Sequence, residues 1–357
     1  MSEQATKTVK AVFTGIIKTK TPVYNSNPDS QGYTNKMVMV GYDNIGVYEV
    51  PVISPNTIRA MLRDNIALDI LERVGYGSLD YQTLIFLTSG GTMDPKQKGK
   101  KDSETPENNS GGKKLRVIND AIDMFRRKNI IASLLGGACG LTIIPGKLIC
   151  LPAWLMVLEV TGQQTDPSIG SIIEKIKNNR LTFVRKDDTK DWGFVYLSSE
   201  GIEELEKREL GTVINKQRKK DKKTADDEEN PDNNDDSTKK EKRTATMLYK
   251  IEDYIPAGAK LKHMIIIPNA TDEEIGAVYS ALRRFAVNPQ LGGYKSKGFG
   301  LLDMEYNLDI DTDHGVDILR VTEDGFSYTN NSYIQKYEQY LERLKLDDIV
   351  IPDVLRG

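Results

Sequence analysis

Two polar stretches of low complexity interrupt the apolar pattern of this chain and limit what it can fold into. Residues 94–114 are rich in Lys, Gly, Asn and Ser, and residues 218–243 run basic, then acidic, then basic again. Neither composition can bury a core, so both stretches should be exposed loops or arms. At 357 residues the chain exceeds the usual single domain of about 100–200. We therefore expect one discontinuous body that carries large insertions, rather than two separate domains.

The overall composition is that of a globular protein. Hydrophobic residues make up 38% and charged residues 28% of the chain. The longest apolar run, residues 151–160, is too short to span a bilayer, and no apolar signal core follows the polar N-terminus. The two cysteines, Cys139 and Cys150, have no Cys-x-x-Cys or clustered His around them, so neither a disulfide framework nor a zinc site is predicted. We expect a cytoplasmic protein without a membrane segment.

Charge is distributed unevenly along the chain. Residues 303–357 hold thirteen acidic and five basic residues, so this segment carries −8 and the preceding part +5, against −3 for the whole chain. Phosphate neutralisation by Lys and Arg usually dominates nucleic-acid affinity. Charge alone therefore favours an ordinary solvated surface over RNA binding, and the acidic segment is expected either to pack on the body or to limit nonspecific binding.

The N-terminal half begins with a strand and a well-marked helix. Residues 8–22 alternate roughly with the period of a strand, and a long loop or hairpin follows. Ser54 is a good N-cap and Pro55 suits the first helical position, after which apolar residues recur at helical spacing. Two further helices are predicted, one from about Leu115 to Lys128 and a short amphipathic one at 169–178.

The last third predicts two strands, a helix, a glycine-rich loop and a strand. Residues 246–254 and 261–267 are predicted to pair as a hairpin. Thr271 caps a helix that runs to about Phe285, and residues 301–307 form the last strand. Together with the N-terminal elements, this order favours an α+β fold: a ferredoxin-like, RRM-like sheet of split βαβ type with large insertions.

The glycine loop at 292–300 is the strongest local signal for binding. Gly292 and Gly293 let the backbone approach a phosphate, Lys295 and Lys297 add charge, and Tyr294 adds a stacking face. A Walker loop is excluded because Phe299 stands where its Lys is required. A tight helix-to-strand turn explains the same glycines equally well.

Two other groups of basic residues are weaker candidates. Arg59 and Arg63 lie four apart near the start of the first helix and share a face, although solvated helix residues show the same spacing. A lysine-rich run could bind the phosphates of an RNA backbone, although such runs are usually solvated loops. Its members are Lys216, Arg218, Lys219 and Lys220.

Residues for catalysis are scarce. His263 and His314 are the only histidines, and no Ser or Cys stands in a nucleophile-elbow context. Asp187 and Asp188 are a weak metal signal, and alternating Asp at 309–313 lacks the downstream Glu of a calcium loop. We predict no catalytic residue, no metal and no cofactor.

Five segments in order resemble the RAMP superfamily, specifically the backbone subunit that polymerises along guide RNA in CRISPR effector complexes. A charged stretch at 185–188 is similar to the type IV branch. The five segments span residues 8–307: the first strand, residues 53–63, residues 135–148, residues 255–259 and residues 291–300.

The resemblance implies a modified RRM-like palm with fingers and a thumb. The palm would comprise residues 1–78, 131–165 and 246–310, followed by an acidic segment at 311–357. A finger-like insertion would span 79–130 with a mobile loop at 94–114, and a thumb-like insertion 166–245 with the arm 216–243.

By the same resemblance, Ser54, Arg59 and Arg63 would contact the RNA backbone from the first helix. The glycine loop would do so from the palm, and the lysine-rich arm would lie near the thumb. Backbone contacts carry no sequence information, which suits a coat for arbitrary guides. The implied partners are guide RNA, target nucleic acid through the guide, other copies of the chain, and other CRISPR effector subunits.

Target-RNA cleavage is the alternative function. Type III relatives place a catalytic Asp in the loop after the first strand. Neither Asp29 nor Asp43 falls in a recognisable version of that motif, so a metal-dependent ribonuclease is second choice. A polymerising palm enzyme would need paired carboxylates on a hairpin, which the sequence lacks.

Overall fold

The computed structural model describes residues 8–27, 30–41, 44, 46–75, 79–91, 111–140, 142–157, 180–186 and 246–356. The strands, in chain order, are Val9–Thr19 (β1), Ser26–Asn27 (β2), Ser30–Thr34 (β3), Lys36–Val40 (β4), Val47–Ile53 (β5), Gly136–Cys139 (β6), Thr142–Pro145 (β7), Ile149–Cys150 (β8), Ala153–Leu155 (β9), Arg180–Lys186 (β10), Thr246–Glu252 (β11), Lys260–Ala270 (β12), Leu302–Ile310 (β13), Asp313–Thr322 (β14) and Gly325–Ser327 (β15).

The helices are Pro55–Val74 (α1), Tyr81–Ser89 (α2), Gly111–Lys128 (α3), Ile130–Leu134 (α4), Asp272–Phe285 (α5), Ser332–Arg343 (α6), Leu346–Ile349 (α7) and Asp353–Arg356 (α8). None of these described helices is long and apolar enough to cross a membrane. The chain divides into two compact units, one of Met1–Leu181 with Ile251–Gly357 and one of Thr182–Lys250. The described residues of the second unit belong to β10 and β11. The outer ends of these two strands, including Glu252, and all other described elements belong to the first unit.

A central antiparallel sheet organises the first unit. Strand β1 pairs with β12 on one side and with β13 on the other, and β12 pairs in turn with β8 and β9. Helix α1 follows β5 in the chain, and α5 connects β12 to β13. This arrangement of helices and antiparallel strands confirms the predicted α+β class.

Helices cover one face of the sheet, and on the other face the described side chains of β1 are partly or largely exposed. In β1, Phe13 and Ile17 are fully buried while Ile16, which points to the other face, is 43% exposed. Phe13 contacts Tyr279 of α5 edge to face, with ring centroids 6.3 Å apart. Burial of alternate residues is what fixes the register, because a shift by one residue would turn the apolar set toward water.

Both predicted helix caps are confirmed. The Ser54 hydroxyl accepts a hydrogen bond from the Thr57 N–H, with Pro55 at the first helical position. At α5, Thr271 and Glu274 form a reciprocal capping box. Glu274 is 3% exposed and also pairs with Lys147 at 2.6 Å, which fixes the start of α5 against a distant loop.

Two local predictions differ from the structure. Strand β12 does not pair with β11 as a hairpin but lies between β1 and the β8–β9 segment, while Glu252 at the end of β11 pairs with Tyr33. Pairing with β1 buries alternate residues of both strands against α1 and α5, which a local hairpin could not do. Helix α3 begins at Gly111, earlier than predicted. The helix predicted at 169–178 lies outside the described residues.

The acidic C-terminal segment is an integral part of the first unit. Strands β14 and β15 extend the sheet beyond β13. Helix α6 packs closely on α5. A Cβ at Gly276 of α5 would lie 2.1 Å from the carbonyl oxygen of Tyr333 in α6. Tyr337 and Ile334 of α6 are buried. Of the two roles expected for this segment, packing on the body is the one that the described residues show.

Candidate nucleic-acid interface

Helix α1 and the glycine loop line the same groove. The groove has a volume of about 370 Å³, with Thr57, Met61 and Asp64 on the α1 side. Gly292, Gly293 and Lys295 contribute from the loop side, and Asn25 contributes from the segment after β1. Two segments that are more than 200 residues apart in the chain, and that sequence reasoning had singled out separately, therefore belong to one surface.

The glycines of the loop are needed for close packing. Gly292 has φ +86°, and a Cβ there would lie 2.3 Å from the Tyr24 carbonyl oxygen. The N–H of Gly293 donates to that same carbonyl at 2.8 Å, and the N–H of Gly300 donates to the Pro22 carbonyl at 2.9 Å. The loop is thereby fixed to the chain that leaves β1, as the turn interpretation requires.

Other backbone groups of the loop are also engaged. The N–H groups of Lys297 and Gly298 donate to the carbonyls of Tyr294 and Lys295, closing a short 3₁₀ turn. These groups and the N–H of Gly293 therefore have protein acceptors, so a phosphate would not find them free. What the loop offers to a ligand is chiefly its side chains.

The side chains of the loop combine charge with an aromatic face. Lys295 and Lys297 are exposed. The Tyr294 ring packs on Tyr24 at 5.2 Å and on Phe299 at 6.2 Å between centroids, and the Lys297 ammonium lies 5.0 Å from the Tyr294 centroid. Tyr294 itself has φ +57°, a left-handed conformation that this packing stabilises. The aromatic cluster thus holds a basic rim in place.

Arg59 binds backbone within the protein. Its guanidinium donates to the Leu148 carbonyl at 2.6 Å and to the Leu135 carbonyl at 2.9 Å. The side chain is half-buried. The sequence prediction that Arg59 contacts RNA stays a prediction, and the structure adds a positioning role.

Arg63, one helical turn along α1, behaves in the same way. It donates to the carbonyls of Phe86 at 3.1 Å and Gly136 at 2.8 Å. Burial, together with the nearby Arg59 charge, lowers the pKa of Arg63 to about 10. Both arginines therefore fasten α1 to the segment that links α4 to β8, and Arg63 also fastens it to α2.

Ser54 is engaged as the cap of α1, and a chain of hydrogen bonds leads from it into the groove. Its hydroxyl lies 2.9 Å from the Thr57 hydroxyl, which donates to Asn25 Oδ1 at 2.6 Å. Asn25 is 4% exposed, and nothing in its Asn-, Ser- and Gly-rich sequence surroundings distinguishes it. Its place in the groove could not be predicted from sequence.

Asp64 is another residue of the groove that sequence reasoning missed. It follows Arg63 on the exposed side of α1. Partial burial raises its pKa, and the charges of Lys295 and Arg63 oppose that rise. The predicted arm residues Lys216, Arg218, Lys219 and Lys220 lie outside the described residues, as do Asp29, Asp43, Asp187 and Asp188.

A buried cysteine–histidine pair lies in the core, away from this groove's lining residues. His263 Nε2 is 3.4 Å from Cys150 Sγ, and His263 Nδ1 is 2.7 Å from the Tyr306 hydroxyl. Burial raises the pKa of Cys150 to about 12 and lowers the pKa of His263 to about 4. Both groups are held neutral, which is the opposite of an activated thiolate–imidazolium pair. We assign the cluster a structural role.

The part of the chain that the structure describes contains no group of three His, Cys, Asp or Glu side chains placed to hold a metal ion. No protein-family model and no curated protein matches the sequence.

The solved structures that are similar to this chain include the following two. One is a Type IV-B CRISPR complex, 15% identical over 85% of this chain and 90% of the other, with a TM-score of 0.44. The second is the crystal structure of Thermofilum pendens Csc2, 10% identical over 97% of this chain and 81% of the other, with a TM-score of 0.35. At these identities, neither likeness assigns a role to a residue of this chain.

Proposed function

We propose that this chain is a non-catalytic RNA-binding backbone subunit that oligomerises along a CRISPR guide RNA and presents it for pairing with a target. Guide RNA, further copies of the chain and other effector subunits would be its partners. The observation that carries the proposal is the groove between α1 and the glycine loop, because two of the five segments that resemble the RAMP backbone subunit meet there.

The chemistry of the rim supports binding without sequence preference. Lys295 and Lys297 are exposed ammonium groups that can each approach a phosphate. Tyr294 is held beside them by Tyr24 and offers the kind of aromatic face on which any base can stack. Phosphate contacts and stacking carry no base information, which a coat for many guides requires.

Arg59 and Arg63 would act in this function chiefly by positioning. Their hydrogen bonds to Leu148 and Gly136 hold α1 against the neighbouring segment and so maintain one wall of the groove. Each guanidinium has five N–H donors, so a further bond to phosphate is compatible with these contacts. The lysines are the better choice for a test of binding, because their removal leaves the described fold contacts of α1 intact.

The deciding experiment purifies the full chain with the products of its neighbouring genes, treats the complex with nuclease and sizes the protected RNA. A discrete guide-like RNA with several copies of the chain is the expected result. A stable complex or monomer that retains no RNA would overturn the proposal.

A matched pair of variants locates the binding surface. Lys295→Ala with Lys297→Ala should reduce the RNA that copurifies. The control, Lys18→Ala with Lys262→Ala, removes two exposed lysines from the sheet face that the helices do not cover. Equal loss in both pairs would show that net charge, and not the groove, governs retention.

A further inference from the structure

A carboxylate stands in the groove where a phosphate-binding surface alone would not need one. Asp64 and Lys295 both line the groove, yet among the described residues they form no ion pair or hydrogen bond with each other or with another side chain. The Lys295 charge still acts on Asp64, since it opposes the rise in the pKa of that carboxyl. An acceptor and a donor therefore line the same space.

The space continues past this pair. A second concavity of about 340 Å³ shares Met61, Asp64 and Lys295 with the first and extends to Asn65 and Val287. The two together form a trough along α1, with Asp64 and Lys295 at the junction. An extended polymer passing through the trough would meet both charged groups at one point, whereas a compact ligand would fill only one side.

The Asp64 carboxylate restricts which group of such a polymer can lie beside it. A carboxylate repels phosphate and accepts hydrogen bonds, so its partner must be a donor. In RNA, every nucleotide carries one donor that is independent of sequence, the 2′-hydroxyl, and that group distinguishes RNA from DNA. A base-edge donor would instead make one position sequence-dependent, which a coat for arbitrary guides cannot use.

We propose that the trough receives one ribose of the bound strand, with the Asp64 carboxylate accepting a hydrogen bond from its 2′-hydroxyl and Lys295 pairing with a neighbouring phosphate. This inference rests on the proposed RNA-binding function and adds to it the residue that makes the subunit select RNA over DNA.

The test compares three single-stranded probes of one sequence: RNA, 2′-fluoro RNA and DNA. The 2′-fluoro probe keeps a ribose-like ring conformation but lacks the donor. The full-length chain should bind RNA about tenfold more tightly than either other probe, since a hydrogen bond to a charged group contributes about that factor. Asp64→Ala should reduce this preference to near unity, and Asp64→Asn, which keeps an acceptor oxygen, should retain part of it.

The control is Asp324→Ala, which removes an exposed acidic residue from the turn between β14 and β15. It should leave the RNA preference unchanged. Equally tighter binding of all three probes by Asp64→Ala would show that Asp64 only repels phosphate. A second probe set of unrelated sequence tests for base-edge contact, which a preference seen with one sequence only would show. Either result overturns this inference and leaves the proposed function standing. Failure of the unmodified chain to bind any probe would overturn the proposed function and this inference with it.

Discussion

The guanidinium of Arg63 donates a hydrogen bond of 2.8 Å to the carbonyl oxygen of Gly136. The same side chain reaches the Phe86 carbonyl at the end of α2, so one residue of α1 ties together two segments that are distant in sequence. Position 136 needs a glycine, because its φ is +62° and a Cβ would lie 2.3 Å from the Ile144 carbonyl oxygen. Arg63 and Gly136 thus form a structural joint between α1 and the segment that follows α4.

We predict that Arg63→Ala lowers the free energy of unfolding by about 2–3 kcal/mol, because it removes charge-assisted bonds, including the one to the buried Gly136 carbonyl. Urea unfolding measures the change. Arg283→Ala is the control: Arg283 forms an exposed pair with Glu338 at 3.1 Å, and its loss should cost about 0–1 kcal/mol. Equal losses of stability in the two variants would contradict a stabilising role for the Arg63 hydrogen bonds.

The two sides of the glycine loop should respond differently to added methyl groups. Gly292→Ala should destabilise the fold by about 2–3 kcal/mol, because it combines a positive φ with a clash on the Tyr24 carbonyl. Gly298 has φ +80° but nothing within 4 Å of a Cβ, so Gly298→Ala should cost only about 1 kcal/mol of backbone strain. Thermal melts of both variants measure the difference in stability, and similar melting temperatures would refute a packing role for Gly292.

Stability should fall between pH 7.5 and pH 5 because of His263. Burial lowers its pKa to about 4, so the folded state binds fewer protons than the unfolded state once the pH falls below the ordinary value of about 6.5. This contribution to the free energy of unfolding is fully present above about pH 6.5 and is lost progressively as the pH falls toward 4. The loss amounts to about 2 kcal/mol at pH 5. Urea unfolding at both pH values gives the difference.

Variants of the two histidines identify the source of that pH dependence. His263→Gln should largely remove it, whatever its effect on stability at pH 7.5. His314→Gln is the control, since the His314 side chain is 83% exposed. A pH dependence that survives in His263→Gln would assign it to other groups.

The rim lysines should act on all RNA sequences alike. For Lys295→Ala with Lys297→Ala, affinity should fall by a similar factor for guides of different sequence, because phosphate contacts carry no base information. The slope of log K against log salt concentration should decrease by about 0.7 for each lysine that contacts a phosphate. Filter binding over a salt series measures both. Loss for one sequence only would contradict backbone recognition.

Local signals were sufficient for several parts of the fold. The Ser54-Pro55 helix start, the Thr271 cap and the strand at β1 were predictable because capping and alternation are encoded within a few neighbouring residues. The α+β class followed from the order of these elements. The grouping of α1 and the glycine loop as candidate site segments also came from sequence, through the resemblance to the RAMP superfamily.

Tertiary structure alone decided which elements meet and what the candidate side chains do. The pairing of β12 with β1 joins residues about 250 positions apart, and no local pattern specifies a partner at that distance. Arg59 and Arg63 have the spacing of surface residues, but the carbonyls they bind become neighbours only after folding. Asp64 and Asn25 carry no motif at all. They enter the candidate site because packing of the glycine loop against the segment after β1 brings them to one groove.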